Sequence, residues 1–158
     1  MITRLNILNR TFICVVFLFF SNQLRAEGSI YFRWVVGVNE YLLSESDGGN
    51  VSYVNLKNGY INFVLQESAD EDTFHLASAP MAGGGQTRIK FSNHGYDYYL
   101  YEITHRIDDG YFFKQGVAVV KNGKIISNKE CANDDSTVQK AAYDALLRGD
   151  YEYNLSFE

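Results

Sequence analysis

Residues 51–66 read VSYVNLKNGYINFVLQ and have the pattern of a β-hairpin. Asn58-Gly59 lies at the centre, and Asn-Gly is typical of the two-residue turn between antiparallel strands because both residues tolerate a positive φ. Counting outward from this turn, the pattern pairs Lys57 with Tyr60, Leu56 with Ile61, Asn55 with Asn62 and Val54 with Phe63. These pairs predict one apolar face, which consists of Leu56, Ile61, Val54 and Phe63.

Other segments with the composition of β-strands surround this hairpin. Strands are rich in β-branched and aromatic residues and are bounded by turn residues. The predicted strands are residues 30–38, 73–78, 86–92 (with Ile89 and Phe91 inward), 96–105, 116–121 and 124–128. About eight strands at short spacing favour an antiparallel β-sandwich or barrel.

Two more turns predict further hairpins in the second half of the chain. One is Asn122-Gly123 and the other is Asp109-Gly110. The predicted pairs are Lys121 with Lys124 and Val120 with Ile125 at the first turn, and Ile107 with Phe112 and Arg106 with Phe113 at the second.

One α-helix is predicted near the C-terminus, which makes the fold mainly β, of the α+β class. Ser136 and Gln139 fit a capping box at its start. Its apolar stripe consists of Val138, Ala142, Ala145 and Leu146. Gly149 is the kind of residue at which helices commonly end, and the alternating residues 151–157 predict a final strand.

Residues 1–26 have the three-part layout of a secretory signal. Two arginines make the first ten residues basic, residues 11–20 form a ten-residue apolar run, and residues 21–26 are short, polar and end in alanine. The apolar run is too short for a membrane-spanning helix, which needs about 20 residues. We therefore expect removal of residues 1–26, a single domain over residues 27–158, a periplasmic or secreted location and no stable membrane anchor.

The remaining 132 residues are strongly acidic, with 11 Lys and Arg against 19 Asp and Glu and a net charge of −8. This balance, without a basic cluster, argues against nucleic acid as a partner, because phosphates are bound by Lys and Arg. The three histidines, His75, His94 and His105, lack the close spacing of a zinc site. We expect no metal, no cofactor and no enzymatic activity. A small hydrolase whose site assembles from His and Asp or Glu is the alternative.

Cys131 is the only cysteine after residue 26, because Cys14 lies in the apolar run. No disulfide can then form within the exported chain. We expect Cys131 to be a small buried residue at a strand end, with an intermolecular disulfide or a reactive thiol as the alternatives.

Three groups of residues are candidates for binding a partner. They are the acidic stretch (Glu67, Asp70, Glu71 and Asp72), the glycine-rich segment (Met81, Gly83, Gly84 and Gly85) and the tyrosine strand (Tyr96, Tyr98, Tyr99 and Tyr101). Clustered acids attract cationic partners, an apolar tip on a glycine loop inserts into grooves, and exposed tyrosines make good anchors. The alternatives are a solvated loop, a flexible connection and tyrosines buried on both faces of a central strand.

These features favour an exported acidic binding module. The expected partner is a basic protein, so the lead interpretation is an immunity protein or inhibitor that captures a cationic secreted hydrolase or toxin. An envelope domain that binds a small ligand is a further alternative. A pocket lined by the tyrosine strand would favour the ligand, whereas an exposed tyrosine face would favour a protein partner.

Overall fold

The computed structural model describes residues 28–46, 48–67, 73–133 and 138–157, and these residues form two packed β-sheets. The predicted mainly β fold is confirmed as a β-sandwich, and the sheets do not close into a barrel. The proposed signal segment, residues 1–26, lies outside the described residues, as do Asp70, Glu71, Asp72 and Ser136. The side chain of Cys131 also lies outside the described part of the chain.

Each sheet is a meander in which neighbouring strands follow one another in sequence, apart from one short strand at the edge of the second sheet. The first sheet contains β1 (Ile30–Val36), β2 (Asn39–Glu45), β3 (Val51–Lys57) and β4 (Tyr60–Gln66), in that order. The second contains β5 (His75–Met81), β6 (Gly84–Asn93), β7 (Tyr96–Ile107), β8 (Gly110–Lys121) and β9 (Lys124–Asn133). A short helix, α1 (Lys140–Ala145), precedes β10 (Leu147–Arg148), which adds to β5 in parallel and gives the order β10-β5-β6-β7-β8-β9.

The hairpin predicted in residues 51–66 is confirmed, but its apolar face is on the outside of the sandwich. Asn58 and Gly59 form the turn with positive φ, and the first two pairs match the prediction. A bulge then places Asn55 opposite Phe63 and Val54 opposite Val64. The extra residue turns Phe63 toward the core, whereas Ile61 is 70% exposed. Val54, Leu56 and Ile61 share one face as predicted, and the assignment of Phe63 to that face was wrong because it assumed a regular register.

The two later hairpins are also present. Lys121 pairs with Lys124 and Val120 with Ile125, as predicted. The third hairpin turns one residue earlier than predicted, at Asp108 and Asp109, so each predicted partner was wrong by two residues: Ile107 pairs with Gly110 and Arg106 with Tyr111. Gly110 has a φ of 145°, so the glycine is required directly after the turn and not within it.

The predicted helix is shorter than its apolar stripe. Val138 forms an antiparallel bridge with Phe32, and the Gln139 backbone N–H donates to the Tyr31 carbonyl at 2.9 Å. These bonds hold Val138 in extended backbone, so the helix begins at Lys140 and Gln139 makes no side-chain cap. Val138, Ala142 and Leu146 are buried, but Ala145 is exposed. Gly149 does not end the helix, because β10 lies between them.

Apolar side chains cover both faces of the second sheet. The inner core lies between the sheets and is rich in aromatic residues, including Phe32, Trp34, Tyr41, Tyr53 and Phe91. The outer cluster consists of Tyr99, Tyr101, Ile103, Ala118, Val120, Leu155 and Phe157. Its last two members belong to residues 149–157, which we call the C-terminal strap.

The C-terminal strap is not the final strand that the alternation predicted. The Arg88 guanidinium donates to the backbone carbonyls of Glu152 at 2.9 Å and Leu155 at 2.6 Å. The same group lies 4.3 Å from the Tyr151 ring centroid and 4.5 Å from that of Phe157. The buried Arg88 side chain therefore provides hydrogen-bond donors for these two carbonyls, and no neighbouring strand is needed to do so.

Candidate functional site

The tyrosine strand is β7, and it is covered on both faces. Tyr99 and Tyr101 are buried in the outer cluster, where Gly116 leaves room for the Tyr101 ring. The Tyr96 hydroxyl accepts a hydrogen bond from Lys121 Nζ at 2.9 Å. Tyr98 faces the first sheet and is half-buried. Of the four tyrosines, Tyr98 is therefore the one that lines a cleft between the sheets.

The glycine-rich segment is a tight β-hairpin, which corrects both expectations of a loop. Met81 ends β5, Gly84 and Gly85 begin β6, and Gly83 is in the turn with a φ of 76°. Met81 packs against the outer cluster and does not form a free apolar tip. In the acidic stretch, Glu67 accepts a hydrogen bond from the Thr73 backbone N–H at 3.1 Å. Its other three members lie outside the described residues.

An open cleft of about 310 Å³ lies between the two sheets, and we call it the aromatic cleft. Its lining residues come from β2, β3 and β4 on one side and from β7, β8 and β9 on the other. They are Tyr41, Tyr53, Asn55, Asn62, Phe63, Tyr98, Val117, Val119, Ser127 and Lys129. This volume is at the small end of the range for sites that hold small molecules.

Stacked rings form one wall of the aromatic cleft. Tyr98 stacks on Phe91 with parallel planes and a centroid distance of 5.0 Å, and Phe63 stacks on Tyr98 at 5.8 Å. Tyr53 packs against both Phe63 and Phe91. Each ring is held from two sides, so the wall is a pre-formed apolar surface. The bulge in β4 is what brings Phe63 to this position.

Two asparagines provide polar groups at the first sheet's side of the cleft. Asn62 Nδ2 donates to Asn55 Oδ1 at 2.9 Å, and Asn55 Nδ2 donates to the Glu40 carbonyl at 3.2 Å. The chain of bonds fixes the orientation of both amides. Asn62 is the exposed bulge residue, so its second N–H points to no protein acceptor among the described residues.

Lys129 is the charged group of the aromatic cleft. Its Nζ donates to the Tyr41 hydroxyl at 3.1 Å and lies 5.8 Å from the centre of that ring. The neighbouring Glu130 projects to the opposite face of β9, where it pairs with Lys114 at 3.0 Å. The lining residues include no carboxylate, so the ammonium charge of Lys129 is not neutralised within the cleft.

Burial keeps the deepest hydroxyl of the cleft neutral. It raises the pKa of Tyr53, and the neighbouring Tyr41 and Tyr98 raise it further. The Tyr53 hydroxyl therefore remains a hydrogen-bond donor over the whole physiological range. The cleft then offers an ammonium, neutral amides and hydroxyls beside stacked rings, which suits the binding of a ring that carries a negative group.

A second cleft, of about 530 Å³, lies beside the C-terminal strap. His75, Lys90 and Glu152 are among its lining residues, and Lys90 Nζ lies 2.9 Å from Glu152 Oε1 and 3.7 Å from Asp97. Lys90 is paired with carboxylates, which is typical of a structural ion-pair network, and Asp150 also lines the cleft, so two acids face one lysine there. We therefore take the aromatic cleft as the candidate site.

The histidines do not combine with one another in either cleft. His75 lines the second cleft, His94 is in the β6–β7 turn and His105 is on the outer face of β7. Within the described part of the chain, no group of three His, Cys, Asp or Glu side chains is arranged to hold a metal ion.

Comparison of the chain with family models, with curated proteins and with solved structures finds no match. Among the described residues, no helix has both the length and the apolar character needed to cross a bilayer.

Sequence reasoning identified one member of the aromatic cleft, Tyr98. It missed Lys129, Asn55 and Asn62, because the strands that carry them are far apart in the chain. One signal was available: Asn55 and Asn62 interrupt the apolar alternation on the two sides of the Asn-Gly turn. Polar amides at such positions indicate either a bulge or a polar site.

Proposed function

We propose that this chain is a binding domain that holds a small ligand in the aromatic cleft. The ligand class is a sugar or aromatic ring that carries a carboxylate or another anionic group. The observation that carries the proposal is that Lys129 lines the same cleft as the rings of Phe63 and Tyr98, and that the described lining of this cleft includes no carboxylate. An apolar wall with a few convergent polar groups is the usual composition of a ligand site.

Each part of the cleft has a role in this proposal. Tyr98 is enclosed between the rings of Phe91 and Phe63. The ligand therefore packs against the ring edges of Phe63 and Tyr98, and Lys129 pairs with its anionic group. Asn62 and Ser127 bond to the ligand's hydroxyl or carbonyl oxygens. The surrounding protein is acidic, so one uncompensated ammonium in a cleft selects anions locally against the overall charge.

The test is calorimetric titration with matched pairs of probes. D-glucuronate and 4-hydroxybenzoate are the anionic probes, and glucose and 4-hydroxybenzyl alcohol are their neutral counterparts. For ligands of this size we expect dissociation constants of about 1 mM, from roughly 0.3 kcal/mol per heavy atom. The anionic member of at least one pair should bind more tightly than the neutral one.

Lys129→Gln should weaken binding of the preferred anion about tenfold or more, because it removes a charge-assisted hydrogen bond. Lys124→Gln is the matched control, since Lys124 is on the same strand but outside the cleft, and it should leave the affinity unchanged. Equal affinity for charged and neutral probes, or equal effects of the two substitutions, would refute the proposal.

A second candidate function is capture of a cationic protein, and the β7–β8 hairpin favours it. The last pairs to neighbouring strands are His105 with Gly84 and Phe113 with Asn133, so the hairpin tip extends beyond both neighbours. The tip carries Asp108 and Asp109, and Tyr111 is 61% exposed. Acids beside an exposed aromatic ring suit insertion into a basic cleft, as in the inhibitor interpretation.

This second function is tested with lysozyme as a cationic cell-wall hydrolase. The double variant D108N/D109N should slow association several-fold at low salt, because it removes two charges that attract the partner. Asp144→Asn changes another exposed aspartate away from the tip and should have a smaller effect. If the unaltered chain neither binds lysozyme nor inhibits it, capture of this hydrolase is excluded.

A further inference from the structure

The outer face of the first sheet is an exposed apolar surface. Register places two rows of four residues on it, which are Arg33, Leu42, Val54 and Val64 in one row and Val35, Glu40, Leu56 and Ile61 in the other. Six of the eight are apolar. Val35, Ile61 and Val64 are 56%, 70% and 43% exposed, and Leu42, Val54 and Leu56 are half-buried. Contiguous apolar patches of this kind mark interaction sites.

Among the eight residues of these two rows, the charged ones form one pair. Arg33 Nε lies 2.9 Å from Glu40 Oε1, and both side chains remain partly exposed. The face is therefore neutral, although the chain has a net charge of −5. A basic partner finds no negative potential there, and a second copy meets no repulsion.

We propose that this outer face associates with the same face of a second copy of the chain about a two-fold axis. In a two-fold interface, each contact between two different residues occurs twice. If Arg33 of one copy faces Glu40 of the other, Glu40 of the first copy also faces Arg33 of the second. The two charged residues then complement each other across the interface, and the six apolar residues of each copy exclude water. This association is independent of the ligand site, since the aromatic cleft opens between the sheets.

The size of the face sets the expected strength. Four strands about 4.8 Å apart and seven residues long cover roughly 400 Å² of flat area per copy. The total for two copies, about 800 Å², is below the roughly 1,000 Å² that stable interfaces exceed, so we expect a weak, reversible association with a dissociation constant on the order of 100 µM or higher.

The experiment is sedimentation velocity of the exported, processed protein between about 1 µM and 500 µM. A concentration-dependent shift from monomer to dimer is expected. Ile61→Lys should abolish the shift, because it places a charge in the centre of the interface. Ile126→Lys is the matched control: Ile126 is 56% exposed on the other sheet, and its replacement should leave the shift unchanged.

A charge exchange tests the two-fold arrangement itself. R33E alone puts acids opposite each other in the dimer, and E40R alone puts bases opposite each other, so each variant should be monomeric. An equimolar mixture of the two restores both contacts, so a heterodimer should form at concentrations where neither variant dimerises.

A monomer at every concentration overturns the proposal, and so does an equal effect of Ile61→Lys and Ile126→Lys. Failure of the mixture to associate overturns the two-fold arrangement. Circular dichroism of each variant shows whether it is folded. A variant that is monomeric and folded has lost the interface, whereas one that is unfolded has lost the fold.

Discussion

Gln115 is a buried amide on β8 whose side-chain nitrogen and oxygen have no hydrogen-bond partner among the described residues. It is fully buried beside Glu102 of β7, which accepts a hydrogen bond from the Val138 backbone N–H at 3.4 Å. An unsatisfied buried amide destabilises the folded state, because the group loses its bonds to water and gains none in exchange.

Gln115→Met should therefore stabilise the protein by about 1–2 kcal/mol, since it keeps the length of the side chain and removes the unsatisfied groups. The free energy of unfolding in urea measures this change. Gln86→Met is the control: Gln86 is also buried and its Nε2 has no partner among the described residues, but its Oε1 accepts from Arg88 and Tyr151, so its loss should destabilise. Destabilisation by both replacements would show that Gln115 does make bonds in solution.

Two residues of the aromatic cleft show which parts of the site could be predicted from the sequence. Tyr98 was a candidate from its place in a tyrosine-rich strand, because alternation alone fixes its face. Lys129 gave no signal, since an isolated lysine on an edge strand usually keeps strands from pairing edge to edge. Its role depends on Tyr41, which is 88 residues away in the chain.

At the scale of elements, hairpins with Asn-Gly turns were predictable and bulges were not. The turn chemistry is local, so the first pairs at Asn58-Gly59 and Asn122-Gly123 match the structure. The bulge in β4 follows from burying Tyr53 and Phe63 against the rings of the second sheet, which is a tertiary effect. The same bulge leaves Ile61 outside, where it contributes to the proposed dimer face.

The C-terminal strap is held by a charged network at its start. Glu152 accepts hydrogen bonds from the Tyr99 hydroxyl and from Lys90 Nζ. Burial raises the pKa of the Glu152 carboxyl, but these hydrogen bonds lower it by more, so the pKa lies below its ordinary value of 4.5. Burial also raises the pKa of Tyr99 to about 12, with the help of its bond to Glu152.

Acid should therefore loosen the strap. Because the folded pKa of Glu152 is below the unfolded value, its contribution to stability is present above about pH 4.5 and is lost as the pH falls through the folded pKa. At pH 7, Glu152→Gln should cost about 1 kcal/mol, a low value because a third of the side chain is exposed. The difference in stability between the two proteins should shrink below pH 4.5.

Unfolding midpoints measured from pH 2 to pH 8 test this expectation. Asp150→Asn changes an exposed acid of the same strap and serves as the control, with no change expected in the shape of the profile. A constant difference between the unaltered protein and Glu152→Gln across the whole range would show that the carboxylate charge does not hold the strap.

At the scale of the whole molecule, composition predicted the fold class correctly and left the arrangement of the sheets open. Many short strands joined by tight turns predicted a sandwich or barrel, and the structure is a sandwich in which β1–β4 and β5–β9 each follow one another in sequence. The strap was not predictable, because its partner is the side chain of Arg88 and not another strand. The packing of two aromatic faces against each other is what creates the aromatic cleft at the open side of the sandwich.

The overall charge and the candidate site have opposite signs. An acidic chain suggested a basic partner, whereas the lining of the aromatic cleft contains one ammonium and no carboxylate. The acidic surface and the positively charged cleft are compatible if each binds a different partner. The central claim is that the cleft is the binding site for an anionic ring.

The most direct measurement is a titration of the native protein with D-glucuronate or 4-hydroxybenzoate, followed by the fluorescence of Trp34. This residue is the only tryptophan, is 2% exposed, and stacks at 5.2 Å on Tyr41 of the cleft. We expect a saturable change in emission with at least one anion, a weaker change with its neutral counterpart, and loss of the change in Lys129→Gln. Emission that stays constant up to 50-fold above the expected dissociation constant of about 1 mM would contradict the claim.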